Sequence, residues 1–296
     1  MRPCRQRGKE RAKAHAGKWG FADGGEGCMV RDMSQKRTHH ISCPFCGKEQ
    51  DVELYDSILV DEEPELRAAL LANRVNRVDC PACGKSFRID KPLVYQDRES
   101  RVLIQYDPLV GGRTLAEAEE TFRAARAELE KLLPKDVEAP EMHLTVEWTE
   151  LVERIFSEEE GLDARLLEHI KYMMFQQNPE KLPADRKGLL FDAQDSTEEN
   201  LCFVVQDRRT KKLESMLHFA RKDYEALVNV FDSGEQLALL HEQFPGPYIN
   251  GRLKYLQDQM EEGAAADNGV GPIGDGHGEG HGHGHEHGDG CGCGGD

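Results

Sequence analysis

Cys43-Pro44-Phe45-Cys46-Gly47-Lys48 and Cys80-Pro81-Ala82-Cys83-Gly84-Lys85 share the pattern C-P-x-C-G-K. In each copy a C-x₂-C spacing turns two sulfurs toward one point, and proline stiffens the loop between them. The glycine after the second cysteine can take a positive φ, which folds the chain back and aims its amides at sulfur. Two copies supply Cys43, Cys46, Cys80 and Cys83, a full set of thiolates for one tetrahedral Zn²⁺. One pair alone would be ambiguous with a thioredoxin-like dithiol. Duplication favours metal, with a disulfide or redox dithiol, or iron, as the alternatives. Four thiolates fill the shell and leave no position for water, so the expected zinc is a structural staple. The 33 residues between Cys46 and Cys80 exceed what a minimal zinc ribbon carries, so an insertion separates the two knuckles.

Working outward, Val52, Leu54, Ile58 and Val60 fall at strand spacing. Pro64, with acidic residues beside it, opens a short helix bearing Leu66, Ala69 and Leu70. Arg77 to Asp79 and Ser86 to Ile89 read as strands flanking the second knuckle. Leu93 to Tyr95 and Arg101 to Tyr106 read as a hairpin. Thr114-Leu115-Ala116-Glu117 is a capping box, and Leu115, Ala118, Phe122, Ala125, Leu129 and Leu132 form one face of a long helix that Pro134 ends. A second unit is expected from near Met142. There Met142, Leu144, Val146 and Trp148 alternate as in a strand, and helices follow over Leu151 to Phe156 and Leu162 to Met174. Met173-Met174-Phe175 reads as core. Strands are expected at Leu189 to Phe191, Leu201 to Val205 and Leu213 to Phe219, then helices at about 220–232, 235–243 and 250–260. The expected architecture is α+β: a small zinc-ribbon-like β domain with an inserted helix (33–134), a mixed α/β domain (135–262) and a disordered tail (263–296). Residues 1–32 read as a basic, disordered leader, with translation expected to begin at Met33 or Met29.

The net charge of −17 lies mostly on the body of the chain, which therefore lacks the electrostatic footprint of a nucleic-acid binder. The sequence contains no run of about 18 apolar residues. The basic N-terminus lacks the apolar core of a secretory signal, and the thiolates are placed for metal, so a reducing cytoplasm is the expected compartment. Cys202, within Leu201-Cys202-Phe203-Val204-Val205, reads as a small buried hydrophobe. Ser157 to Glu160 reads as a solvated acidic face. His39 and His40 lie near Cys43, but four cysteines already complete the shell. Gly269 to Gly274 matches G-x-G-x-x-G without a flanking strand or helix and is rejected as a dinucleotide site. No H-E-x-x-H, P-loop or G-x-S-x-G occurs, so no activity can be named.

The tail holds His277, His281, His283, His285 and His287, followed by Cys291 and Cys293. Alternate histidines on a flexible chain can wrap Ni²⁺, Cu²⁺ or Zn²⁺, and the Cys-Gly-Cys pair adds soft ligands. Ordering entropy should keep this site well below the knuckles in affinity. The competing reading is a solubilising low-complexity segment.

The two C-P-x-C-G-K motifs, the Pro64-Glu65-Leu66 helix and Lys91-Pro92-Leu93-Val94-Tyr95-Gln96-Asp97 together resemble the CpXC-domain family over roughly residues 38–125. Leu151 to Ile155 and Gly161 to Lys171 resemble the region that follows the domain in bacterial members. The resemblance implies a bacterial or archaeal protein with a metal-binding domain, and it carries over the four knuckle cysteines. It brings no activity, because the family is functionally uncharacterised. Three functions follow from these readings. The first is a zinc-stapled, non-enzymatic protein that recognises a protein partner. The second is storage or delivery of Ni²⁺ or Zn²⁺ by the tail. The third is an enzyme acting in a cleft between the two expected domains.

Overall fold

The computed structural model describes residues 33–232 and 234–268. Ten strands and seven helices occur among them, in an α+β arrangement. The described residues up to Asp258 belong to one compact unit, and those from Gln259 onward to a second.

The first half of the chain builds a five-stranded sheet in the order β1-β2-β5-β6-β7. β1 (Gln35–Ser42) and β2 (Glu49–Leu59) form an antiparallel hairpin that carries the first knuckle at its tip. The chain then crosses over through α1 (Pro64–Leu71), so that β5 (Leu93–Asp97) runs parallel to β2. Within that crossover, β3 (Arg77–Asp79) and β4 (Ser86–Arg88) form a separate two-stranded hairpin bearing the second knuckle. β6 (Val102–Tyr106) returns antiparallel to β5, and α2 (Leu115–Leu132) makes the crossover to β7 (Glu141–Thr145), which lies parallel to β6.

Strand alternation sorts the core onto two faces. Ile58, Tyr95 and Ile104 pack with Leu66 and Leu70 of α1 and with Leu151 and Ile155 of α3 (Trp148–Glu159). On the other face, Leu103 meets Leu129 of α2, and Leu144 meets Ala118 and Phe122. Ala118, Phe122 and Leu129 of the α2 stripe are thus buried on its own sheet, while Leu132 stays exposed. Its capping box is formed as expected, with the Glu117 amide donating to the Thr114 hydroxyl and the Thr114 amide to the Glu117 carboxylate.

The second half packs α4 (Ala164–Gln177), α5 (Arg221–Val230), α6 (Gly234–Gln243) and α7 (Gly251–Asn268) with the antiparallel sheet β8 (Lys187–Asp192), β9 (Asn200–Asp207) and β10 (Leu213–Ala220). Leu167, Ile170, Phe175, Phe191 and Phe203 are central to this core. Cys202 on β9 is fully buried, as its apolar neighbours predict, beside Met216 of β10.

Three expectations change. The strand expected over Met142 to Trp148 stops at Thr145, because the Glu150 carboxylate accepts the amides of Val146 and Glu147 and starts a helix at Trp148. That strand, read as opening a second unit, joins the first sheet as the edge partner of β6. The final helix, expected to end near 260, continues to Asn268. Ala264-Ala265-Ala266 has the highest helix propensity available and carries the helix into the segment read as tail. The rest of the tail and the leader of residues 1–32 lie outside the described residues.

Candidate metal centre

Each knuckle is closed by the same pair of backbone bonds. The Gly47 amide donates to the Cys43 carbonyl at 2.9 Å and the Cys43 amide to the Lys48 carbonyl at 2.9 Å. The second copy repeats this with Gly84 to Cys80 at 2.8 Å and Cys80 to Lys85 at 3.0 Å. Gly47 and Gly84 sit at φ of 71° and 67° with open space around a would-be Cβ, so backbone conformation and not crowding demands glycine.

The two hairpin tips meet. Cys43 Sγ lies 3.8 Å from Cys83 Sγ, and Cys46 Sγ lies 3.6 Å from Cys80 Sγ. All four sulfurs fall within 4.8 Å of one another. A tetrahedral ion with metal–sulfur bonds near 2.3 Å requires sulfur–sulfur edges of about 3.8 Å, so the spacing fits a metal ion such as zinc. Separations of 3.6 Å and more also exceed the S–S bond of about 2.05 Å in a disulfide, and all four cysteines are free thiols. Cys43 and Cys80 are buried, Cys83 is half-buried and Cys46 is exposed.

The electrostatics point the same way. The amide of Cys83, then that of Ala82, lowers the Cys80 thiol to about 6 against the cost of desolvation. The Lys48 amide pulls Cys46 down too, but desolvation and the three neighbouring sulfurs outweigh it and push that thiol up to about 12. Four crowded thiols cannot all ionise among themselves, and a divalent cation supplies the charge that lets them do so.

Convergence depends on a residue that the sequence reading passed over. Asn76, buried and at φ of 55°, clasps the backbone N–H and C=O of Tyr55 on β2. Its Oδ1 accepts the Tyr55 amide at 2.7 Å, and its Nδ2 donates to the Tyr55 carbonyl at 3.0 Å. Its own carbonyl accepts the Ile89 amide at 2.8 Å, just beyond β4. Asn76 therefore ties the hairpin of the second knuckle to the hairpin of the first. Across the tips, the Phe45 ring packs edge-on against Phe87, with Lys85 Nζ 4.6 Å from the Phe45 centroid. Asn76→Ala takes the Asn76 partner from the Tyr55 amide, at about 1–3 kcal/mol, and leaves the Tyr55 carbonyl with the longer bond from Lys91 Nζ at 3.3 Å. Zinc loss to a competing chelator should rise at least about tenfold, since roughly 1.4 kcal/mol is one decade in an equilibrium constant. Unchanged zinc retention in a chelator competition would show that the clasp is dispensable.

His40 takes no part in the sulfur cluster. Its Nδ1 lies 2.8 Å from the Asp51 carboxylate, which raises its pKa. The cysteine group at the hairpin tips includes neither His39 nor His40. His277, His281, His283, His285, His287, Cys291 and Cys293 lie outside the described residues, as does the Gly269–Gly274 motif.

A second concentration of charge escaped sequence reading altogether. Glu153 and Arg154 of α3 and Glu168 and Lys171 of α4 are all buried. Lys171 Nζ sits 2.5 Å from Glu153 and 2.8 Å from Glu168. Glu153 also accepts the Phe191 amide at 2.6 Å, and Glu168 accepts the Gly251 amide at 2.8 Å. Nearby, Glu150 accepts from Tyr248 at 2.6 Å and from Asn250 at 3.0 Å. Burial still raises the Glu150 pKa against these donors. These groups line a cavity of about 40 Å³ between α3, α4, β8 and the approach to α7. That is room for a few waters, far below the roughly 300–1,000 Å³ of small-molecule sites.

No helix among the described residues is long and apolar enough to cross a membrane. In comparison with known proteins, no curated protein and no solved structure matches the chain. The family described as CpXC protein does match, over residues 41–171, a span that takes in both knuckles, the whole five-stranded sheet from β2 onward, α3 and most of α4. Across residues 41–171 the chain is thus similar to the CpXC family.

Proposed function

We propose that this chain is a zinc-binding protein in which Cys43, Cys46, Cys80 and Cys83 hold one structural Zn²⁺, and that its role is recognition of a protein partner without catalysis at the metal. The observation that carries the zinc reading is the sulfur spacing of 3.6 and 3.8 Å between two hairpin tips, the edge length of a tetrahedral sulfur site. Four thiolates leave no coordination position for a reacting water, which favours a staple. The partner reading is supported by apolar side chains kept in solvent. Phe45 stands exposed on the first knuckle, and Leu213 and Met216 are exposed on β10, whose outer edge has no strand neighbour among the described residues. Exposed edges and apolar tips are the features that partner chains use. The small volume of the charged cavity near α3 favours this reading over an enzyme.

A second reading, storage or delivery of Ni²⁺ or Zn²⁺, rests on the His- and Cys-rich composition of the C-terminal segment. Elemental analysis separates the two. The full chain and a chain ending at Asn268 should both carry one tightly held zinc. Ni²⁺ titration should find further, weaker sites in the full chain alone if the tail binds metal. Zinc absent from both would remove the structural site. Equal Ni²⁺ stoichiometry would remove the tail's role.

A further inference from the structure

Away from the cysteines, three metal-capable side chains meet where α3 ends against the outer strand of the large sheet. Glu141 and His143 stand two residues apart on β7, so both project from the face turned toward α3, while Met142 and Leu144 face α2. Glu158 reaches them from the last turn of α3. His143 Nε2 lies 2.9 Å from one Glu158 oxygen and 3.8 Å from one Glu141 oxygen. The three ligand atoms all fall within 4.8 Å of one another.

Two features distinguish this group from an ordinary acidic patch. The His143 side chain is only 7% exposed, yet its Nε2 is buried without a hydrogen bond, and so is the Glu158 oxygen beside it. The two atoms are close without the alignment of a donor and acceptor. That is the relation between two ligands aimed at a common third point, and donors about 2.1 Å from one ion stand roughly 3.0–3.4 Å apart. Leaving both polar atoms buried and unbonded would otherwise cost about 1–3 kcal/mol each.

We propose that Glu141, His143 and Glu158 form a second, open divalent-cation site, distinct from the cysteine cluster. One imidazole and two carboxylates suit a first-row ion such as Mn²⁺, Fe²⁺ or Zn²⁺ more than a soft ion. Glu141 is the open member, with 56% of its side chain exposed, so the ion could enter and retain water from that side. The Glu141 and Glu158 carboxylates approach within 4.8 Å, and a cation between the two relieves their repulsion. Arg154 and Arg165 act on the Glu141 charge in competition with a cation, which places the affinity below that of a four-thiolate site.

The test is a Mn²⁺ titration of the full-length, zinc-loaded protein, with free Mn²⁺ read by electron paramagnetic resonance. Mn²⁺ prefers oxygen and imidazole to thiolate and should leave the cysteine site undisturbed. Glu141→Gln alters an exposed side chain and should fold normally. Glu158→Gln keeps the volume of the inner ligand. Since the tail is the same in every variant, any difference belongs to this site. One Mn²⁺ site whose dissociation constant rises by about tenfold or more in both variants, with zinc content unchanged, is the expected result. Superimposable isotherms for wild type and Glu141→Gln, or no Mn²⁺ bound by the wild type, would overturn the proposal whatever Glu158→Gln does.

Discussion

Cys80→Ala should yield a protein without stoichiometric zinc and without a folded cysteine region. Removing one of four sulfurs leaves an incomplete shell, and the binding free energy of a structural Zn²⁺ is about 10–16 kcal/mol in small zinc domains at neutral pH. That is as large as the whole stability of a typical domain, about 5–15 kcal/mol. The β3–β4 hairpin has strands of three residues each and is held to the rest by the Asn76 clasp, the Phe45–Phe87 ring contact, Arg88 stacked over the Trp148 ring, and the sulfur cluster. A hairpin that short has little stability of its own. The loss should therefore be local and deep. Amide exchange across 77–88 and around Cys43 should become unprotected, while the core around Phe175 and Phe203, which shares no residue with the cysteine group, keeps its protection. Cys80 is the most telling of the four because two amides already favour its thiolate. Mass-spectrometric metal analysis with hydrogen exchange checks both halves of the expectation. Full zinc content and unchanged exchange in Cys80→Ala would mean that the sulfurs are not the ligands.

Much of this was legible in the sequence because it is local. The duplicated C-P-x-C-G-K motif marks four cysteines that the fold brings together, and the capping box at Thr114 declares a helix start by chemistry confined to four residues. Pairing partners were less legible. The alternation at Met142 and Leu144 marks a strand, but nothing in a period of two says that it adds in parallel to β6, more than thirty residues earlier. Where two local signals compete, tertiary placement of one carboxylate decides. Val146 and Trp148 continue the strand pattern, yet Glu150 draws the chain into a helix. The acidic run Ser157 to Glu160 misleads more sharply, since charge in sequence suggests solvent. In the fold Ser157 is buried, Glu158 faces His143, Glu159 pairs with Arg67 and Glu160 pairs with Arg221. Asn76 carried no signal beyond its tolerance for positive φ, because its partners are backbone N–H and C=O groups that nearly any residue presents.

Lys171→Met is the second large expected effect, and it tests whether the buried charges near α3 act as one unit. The ammonium of Lys171 is shared by Glu153 and Glu168, and all three are almost fully removed from solvent. Methionine fills a similar volume but supplies no charge, leaving two carboxylates buried with only backbone donors and Arg154. Breaking a buried ion pair from one side costs about 3–5 kcal/mol. The pH dependence gives the sign. Burial raises the Glu153 pKa in the folded protein, opposed by Lys171 and reinforced by Glu168. A carboxyl whose folded pKa is raised contributes most below its ordinary pKa, and that contribution is lost as pH rises through the folded value. Deleting Lys171 removes the opposing charge and moves the folded value further up, so the deficit of the variant should grow from pH 5 to pH 8. Denaturant unfolding of both proteins at the two pH values measures this directly. Adding Glu153→Gln to the variant should recover part of the loss at pH 8, because one of the two uncompensated charges is gone. A deficit under about 1 kcal/mol, the range of an exposed pair, would show that solvent already screens the network. A deficit that does not change with pH would show that Lys171 acts by packing.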